Sequence, residues 1–136
     1  MNITPQLIGK STPPQTFSVR EEDVLRFMEA ADDPALHQQT PILYAPPTFP
    51  VTFNLHLPGL DLDGSHMQLL HREQAFTYTR RLRIGEQITC TMTVEDIRER
   101  TMRGDHMTFV VLKTTGVDNT QQPVFTVHST LVVRQL

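Results

Sequence analysis

The sequence has no tryptophan and a single cysteine, Cys90, in 136 residues. A lone cysteine cannot close an internal disulfide, which fits a reducing cytoplasm and excludes a disulfide-stapled scaffold. No apolar run approaches the ~20 residues that cross a bilayer, so no membrane partner is expected. The opening Met1-Asn2-Ile3-Thr4-Pro5 lacks the basic and apolar regions of a signal peptide. Positive charge is also in short supply. Twelve Lys and Arg against 15 Asp and Glu leave a net charge of −3, which gives nucleic acid no electrostatic footing. There is no phosphate-binding glycine loop, no Gly-x-Ser-x-Gly, no Cys-x-x-Cys and no His-Glu-x-x-His, so the chemistry those motifs carry is not expected. No repeat, low-complexity tract or linker divides the chain. One domain over 1–136 with one core is expected, led by an irregular N-terminal arm over 1–16.

What is present centres on Ala45-Pro46-Pro47-Thr48-Phe49-Pro50-Val51-Thr52-Phe53-Asn54-Leu55-His56-Leu57. Two prolines hold the lead-in extended. Thr48 suits an N-cap, and Pro50 is tolerated in a first turn, where its missing N–H has no intrahelical partner anyway. Phe49, Phe53 and Leu57 recur at i, i+4 and i+8, which predicts a short apolar helix over about residues 49–57, ended by Pro58-Gly59.

Before it, Phe17-Ser18-Val19 reads as extended. A first helix is expected over Glu21–Ala31, with Val24, Leu25, Phe27 and Met28 on one face and Glu21, Glu22 and Asp23 at its positive end. Asp32-Asp33-Pro34 stops it, and 34–45 reads as loop. An acidic loop follows from Gly59 to Ser65. From Met67 the pattern is β. Leu70–Thr79 alternates with Gln74, Phe76 and Tyr78 on one face, and Arg80–Gly85 is a polar crossover. Ile88, Cys90, Met92 and Val94 alternate as a half-buried strand until Asp96-Ile97, which reads as a bulge. Arg98–Asp105 reads as a charged turn. Met107–Thr115 is apolar on both faces and belongs centrally in the sheet. After a turn over Val117–Pro123, Val124–Val133 is the last strand. The layout is α+β: a helical half, then an antiparallel meander whose apolar face needs a helix to cover it and whose edge invites dimerisation.

Histidines stand at 37, 56, 66, 71, 106 and 128. No carboxylate sits near them at a zinc-like spacing, so no metal is expected. Asp32, Asp33 and His37 have two readings. A carboxylate and an imidazole four or five residues apart can converge on one water as a general acid/base pair. Asp-Asp-Pro is equally a helix stop, beside a solvated histidine. The stretch around Pro47, Thr48 and Phe49 is likewise a rigid cap, or a set of helix N-terminal amides that polarises a carbonyl.

Taken together, Phe17–Ala31 with its Asp-rich stop, Ala45-Pro46-Pro47-Thr48-Phe49-Pro50, Leu70-His71-Arg72-Glu73-Gln74-Ala75-Phe76-Thr77-Tyr78, Leu82-Arg83-Ile84-Gly85-Glu86 and Ser129–Arg134 resemble the MaoC-like dehydratases. The resemblance is nearest to their MaoC dehydratase N-terminal domains and covers nearly the whole chain. It implies a single hot-dog domain, an antiparallel sheet wrapped around a central helix, paired as a homodimer or as a heterodimer with a catalytic MaoC-like subunit. It implies acyl thioesters of coenzyme A or acyl carrier protein as ligands, with reversible (R)-specific hydration of an enoyl thioester and no metal or redox cofactor.

In the catalytic branch, Asp and His sit in a motif like Gly-Asp-x-Asn-Pro-x-His. Ala31-Asp32-Asp33-Pro34-Ala35-Leu36-His37 matches it through Asp32 and His37, or through Asp33 with a loop one residue shorter. Pro47, Thr48 and Phe49 would border the substrate, and His71 is read as structural. Three functions stay open: a hydratase/dehydratase component using Asp32 or Asp33 with His37, a non-catalytic acyl-binding subunit, and a hot-dog thioesterase.

Overall fold

The alternating β pattern of the C-terminal half builds one five-stranded antiparallel sheet in the computed structural model, which describes residues 3–60 and 67–135. The strands are β1 Gln15–Ser18, β2 Met67–Tyr78, β3 Gln87–Met102, β4 Asp105–Val117 and β5 Pro123–Gln135, in the order β1-β3-β4-β5-β2. The α-helix of the described residues, α1, spans Glu21–Ala30. None of those residues forms a helix long and apolar enough to cross a membrane. Residues 61–66, which hold His66 and most of the expected acidic loop, lie outside the described residues.

The sheet is a meander only from β3 to β5. The segment after β2 crosses over, so β2 pairs with β5 at the far edge instead of with β3. β4 occupies the middle, as its two-sided apolar pattern requires. The alternation break in β3 is a bulge, with the register shifting between Val94 and Asp96. It keeps both Val94 and Ile97 buried although they stand three positions apart. The expected charged turn over Arg98–Asp105 shrinks to two residues. β3 runs on to Met102, and Arg103 (φ 52°) and Gly104 (φ 81°) make a tight hairpin with both central residues left-handed.

The central segment departs from the predicted helix over 49–57. Only Phe49–Thr52 forms a 3₁₀ turn, and Phe53 is already extended. Val51, Thr52, Phe53 and Asn54 are weak helix formers, and Leu57 precedes a proline that disfavours helix. Both ends of the apolar stripe are buried nonetheless, and Phe53 is partly buried. Phe49 enters one core cluster with Val24, Met28, Ile88, Phe125 and Val127, while Leu57 enters a second with Ile3, Val94, Val110 and Leu131. An extended chain gains up to ~3.3 Å per residue against 1.5 Å in a helix, and that reach lets one segment serve both clusters.

Gly116 on β4 faces Phe125. A Cβ built there would lie 2.5 Å from both Cε2 and Cζ of the Phe125 ring and 3.0 Å from Cγ2 of Ile88. Both neighbours are buried, so neither yields cheaply. Gly116→Ala is expected to cost about 1–3 kcal/mol in urea unfolding; unchanged stability would mean that the ring swings aside.

β2 is an open edge. Among the described residues its hydrogen-bonded neighbour lies on one side only, and its middle, from Leu70 to Ala75, is exposed. Leu70 retains 54% of its surface.

Candidate functional site

A cleft of about 810 Å³ opens between the end of α1, the loop that follows it and the crossover after β2. Met28, Ile42, Ala45, Pro46, Pro47 and Leu82 give it apolar walls, and Asp33, Tyr78, Arg80 and Arg81 also line it. Short local interactions hold this frame. The Ala45 amide donates to the Leu82 carbonyl at 2.9 Å and the Ile84 amide to the Leu43 carbonyl at 3.0 Å, with Tyr44 bridged to Arg83 between them. The Tyr78 hydroxyl donates to the Pro47 carbonyl at 2.6 Å and ties the diproline lead-in to β2. Burial pushes that phenol up to about 12, so it stays a donor at neutral pH.

At the wall, Arg80 makes a two-pronged pair with Glu86, at 2.9 and 2.7 Å, and reaches Asp118 at 3.3 Å. Burial pushes the Glu86 carboxyl up, but hydrogen bonds from the Arg80 guanidinium and the Arg83 amide outweigh it and hold the group below its usual range. Asp118 is held down to about 2 by bonds from the Thr120 hydroxyl and the Gln122 amide, with Arg80 adding to them. Both carboxyls sit lower folded than unfolded. Their stabilisation is therefore complete above about pH 4–5 and drains away as pH falls toward 2. Thermal melting should show that loss, and Arg80→Gln should flatten part of it.

The three predicted acid/base residues have different surroundings. Asp32 is exposed and left-handed (φ 51°). The Asp33 amide reaches back to the Met28 carbonyl (2.9 Å) and the Asp32 amide to that of Glu29 (3.1 Å), which is the Schellman close of α1. Asp32 thus holds the position where glycine is favoured. Asp32→Gly should raise stability by about 0.5–1 kcal/mol in urea unfolding. Asp33 is half-buried and faces the cleft, but its Oδ1 accepts from the Ala35 amide at 3.0 Å and caps the 3₁₀ turn Pro34–His37.

His37 ends that turn, exposed and outside the cleft lining. Among the described residues no carboxylate pairs with it, whereas His106 and His128 have Glu99 and Glu95 at 3.9 Å.

The diproline stretch divides as well. Pro47 is part of the wall. Thr48 is exposed and its hydroxyl makes no cap. Phe49 is buried in edge contact with Phe27 and Phe53, at ring distances of 5.6 and 5.7 Å, beside a smaller pocket of about 440 Å³. Its amide is spent on the Pro46 carbonyl at 2.9 Å, so it is not open to a ligand carbonyl. Among the described residues, no three metal-ligating side chains gather. The sequence reading missed Tyr44, Tyr78, Arg80 and Arg81 as site residues. The Arg80-Arg81 pair inside a short crossover is the available signal, and in sequence alone it reads only as polar.

The sequence profile of the family described as FAS1-like, dehydratase domain region, matches residues 6–127. The chain belongs to this family of MaoC-like dehydratase domains. Among relatives of this dehydratase-family chain, the UPF0336 protein of Leifsonia xyli subsp. xyli is 33% identical over 152 residues, spanning 97% of this chain and 96% of its own length. That of Clavibacter michiganensis is 33% identical over 149 residues, spanning 98% and 97%.

Solved structures share the hot-dog fold. The truncated HadBC (3R-hydroxyacyl-ACP dehydratase) complex of Mycobacterium tuberculosis matches with TM-score 0.65 at 19% identity, over 93% of this chain and 96% of that one. The MaoC-like dehydratase of Rhodospirillum rubrum gives 0.66 at 16% identity, over 95% and 93%. The (R)-hydratase of A. caviae gives 0.62 at 15%, over 91% and 94%.

Proposed function

We propose that this chain is the acyl-binding component of an (R)-specific enoyl-thioester hydratase/3-hydroxyacyl-thioester dehydratase, with the water-handling acid and base supplied by a second hot-dog unit. The observation that carries this is the division of the site. The cleft has apolar walls suited to an acyl chain and holds Asp33, while His37 lies outside its lining. A second unit has a place to dock: among the described residues β2 is a long strand with one side unpaired, and extending the sheet there would satisfy its backbone groups. The HadBC complex is itself an assembly of dehydratase subunits. The lone, buried Cys90, whose thiol burial pushes up to about 12, accords with a reducing cytoplasm.

Calorimetric titration of the chain with crotonyl-CoA tests the reading, with the enoyl absorbance followed in the same samples. Binding without turnover is expected. Absence of binding, with the protein folded, would contradict it.

A second reading keeps Asp33 and His37 as the catalytic pair, with Asp32 as the alternative carboxylate. It is favoured by Asp33 facing the cleft only four residues before an exposed imidazole. Under it, His37→Ala removes turnover shown by the chain alone.

A further inference from the structure

The charged groups lining the cleft are not equally available. Asp33 caps a turn, and Arg80 is neutralised by Glu86 and Asp118. Arg81 pairs with no carboxylate among the described residues. Its guanidinium carbon instead lies 4.0 Å from the centre of the Tyr44 ring, stacked on its face. The bridge between Tyr44 and Arg83, with the backbone bonds on either side of it, fixes the two segments that carry this stack. Leu43, 64% exposed, adds an apolar contact at the same rim. Held over the ring, the guanidinium has N–H groups that donate to no side chain among the described residues, an arrangement suited to gripping an anion. In a chain of net charge −3 this is a local cation beside an apolar cleft.

We infer that Arg81, held by Tyr44, binds a phosphate ester on the carrier end of the acyl thioester. The ligand then lies with its acyl part along the apolar walls and its phosphate at the rim. This rests on the acyl-thioester reading but names a different recognition element. The phosphate has two sources: the 4′-phosphate shared by coenzyme A and carrier proteins, or the nucleotide phosphates of coenzyme A alone.

The test is equilibrium binding of crotonyl thioesters of pantetheine, 4′-phosphopantetheine and coenzyme A to the full chain and its Arg81→Gln and Arg81→Lys variants. The wild type should prefer a phosphate-bearing ligand over crotonyl-pantetheine by about tenfold or more. Arg81→Gln should erase that preference, and Arg81→Lys should restore part of it through charge without the planar fork. A gain first seen with phosphopantetheine assigns the shared phosphate; one seen only with coenzyme A assigns the nucleotide. No phosphate preference in the wild type, or one that survives in Arg81→Gln, overturns the inference. Binding is read apart from turnover. Arg81-dependent preference in a protein with no part in hydration would sink the functional reading alone. Hydration by an assembly that ignores Arg81 would sink this inference alone.

Discussion

A catalytic MaoC-like partner mixed with the purified chain is expected to raise crotonyl-CoA hydration about 10²–10⁴-fold over the chain alone, the range contributed by a placed general acid/base. The expectation follows from where the acid/base candidates sit. The Asp33 carboxylate has one oxygen occupied by the Ala35 amide, and His37 is exposed beyond the cleft lining. General acid/base work needs a group within hydrogen-bond reach of the proton it moves. A second hot-dog unit joined at the β2 edge would bring its own pair. The partner measured alone should also be slower than the mixture, since it lacks this chain's acyl cleft. A mixture no faster than its separate parts would count against the assembly.

Phe49→Ala is expected to lower stability by about 3–5 kcal/mol, read from the midpoint and slope of urea unfolding. The ring is 2% exposed and meets Phe27 and Phe53 edge-on. Phe53 in turn stacks on Phe17 at 4.7 Å, so Phe49 and Phe53 together join α1 and β1 to the central segment. Removing it leaves a cavity in a core that only partly collapses. For a domain of this size such a loss is a large share of the total stability. The diproline wall lies directly before Phe49, so acyl binding should weaken in any fraction that stays folded. A loss below about 1 kcal/mol would show that the segment is not anchored through this ring.

The strands were legible because their signal is local. Ile88, Cys90 and Val94 alternate in sequence and are buried in the sheet, and the two-sided apolar Met107–Thr115 stretch sits at its centre. Helix α1 was legible for the same reason, with Val24 and Met28 one turn apart and both buried. The place of β2 was not legible, since which strand neighbours which depends on long-range packing that alternation does not encode. The spacing of Phe49, Phe53 and Leu57 fits a helix equally well as an extended chain serving two clusters, and the weak helix formers from Val51 to Asn54, with Pro58 behind Leu57, favour the latter.

At the site, residue types without geometry pointed to Asp32, Asp33 and His37. Spacing along the chain cannot tell that one carboxylate caps a turn and another closes a helix. Arg81 and Tyr44 lie far apart in sequence, and only the folded crossover stacks them.

The measurement that bears most directly on the acyl-binding account is hydration of crotonyl-CoA and longer enoyl-CoA substrates by the purified, folded chain alone, beside His37→Ala. The account predicts no turnover above buffer in either protein. Clear turnover by the wild-type chain that disappears in His37→Ala would contradict it and make the chain a self-sufficient hydratase.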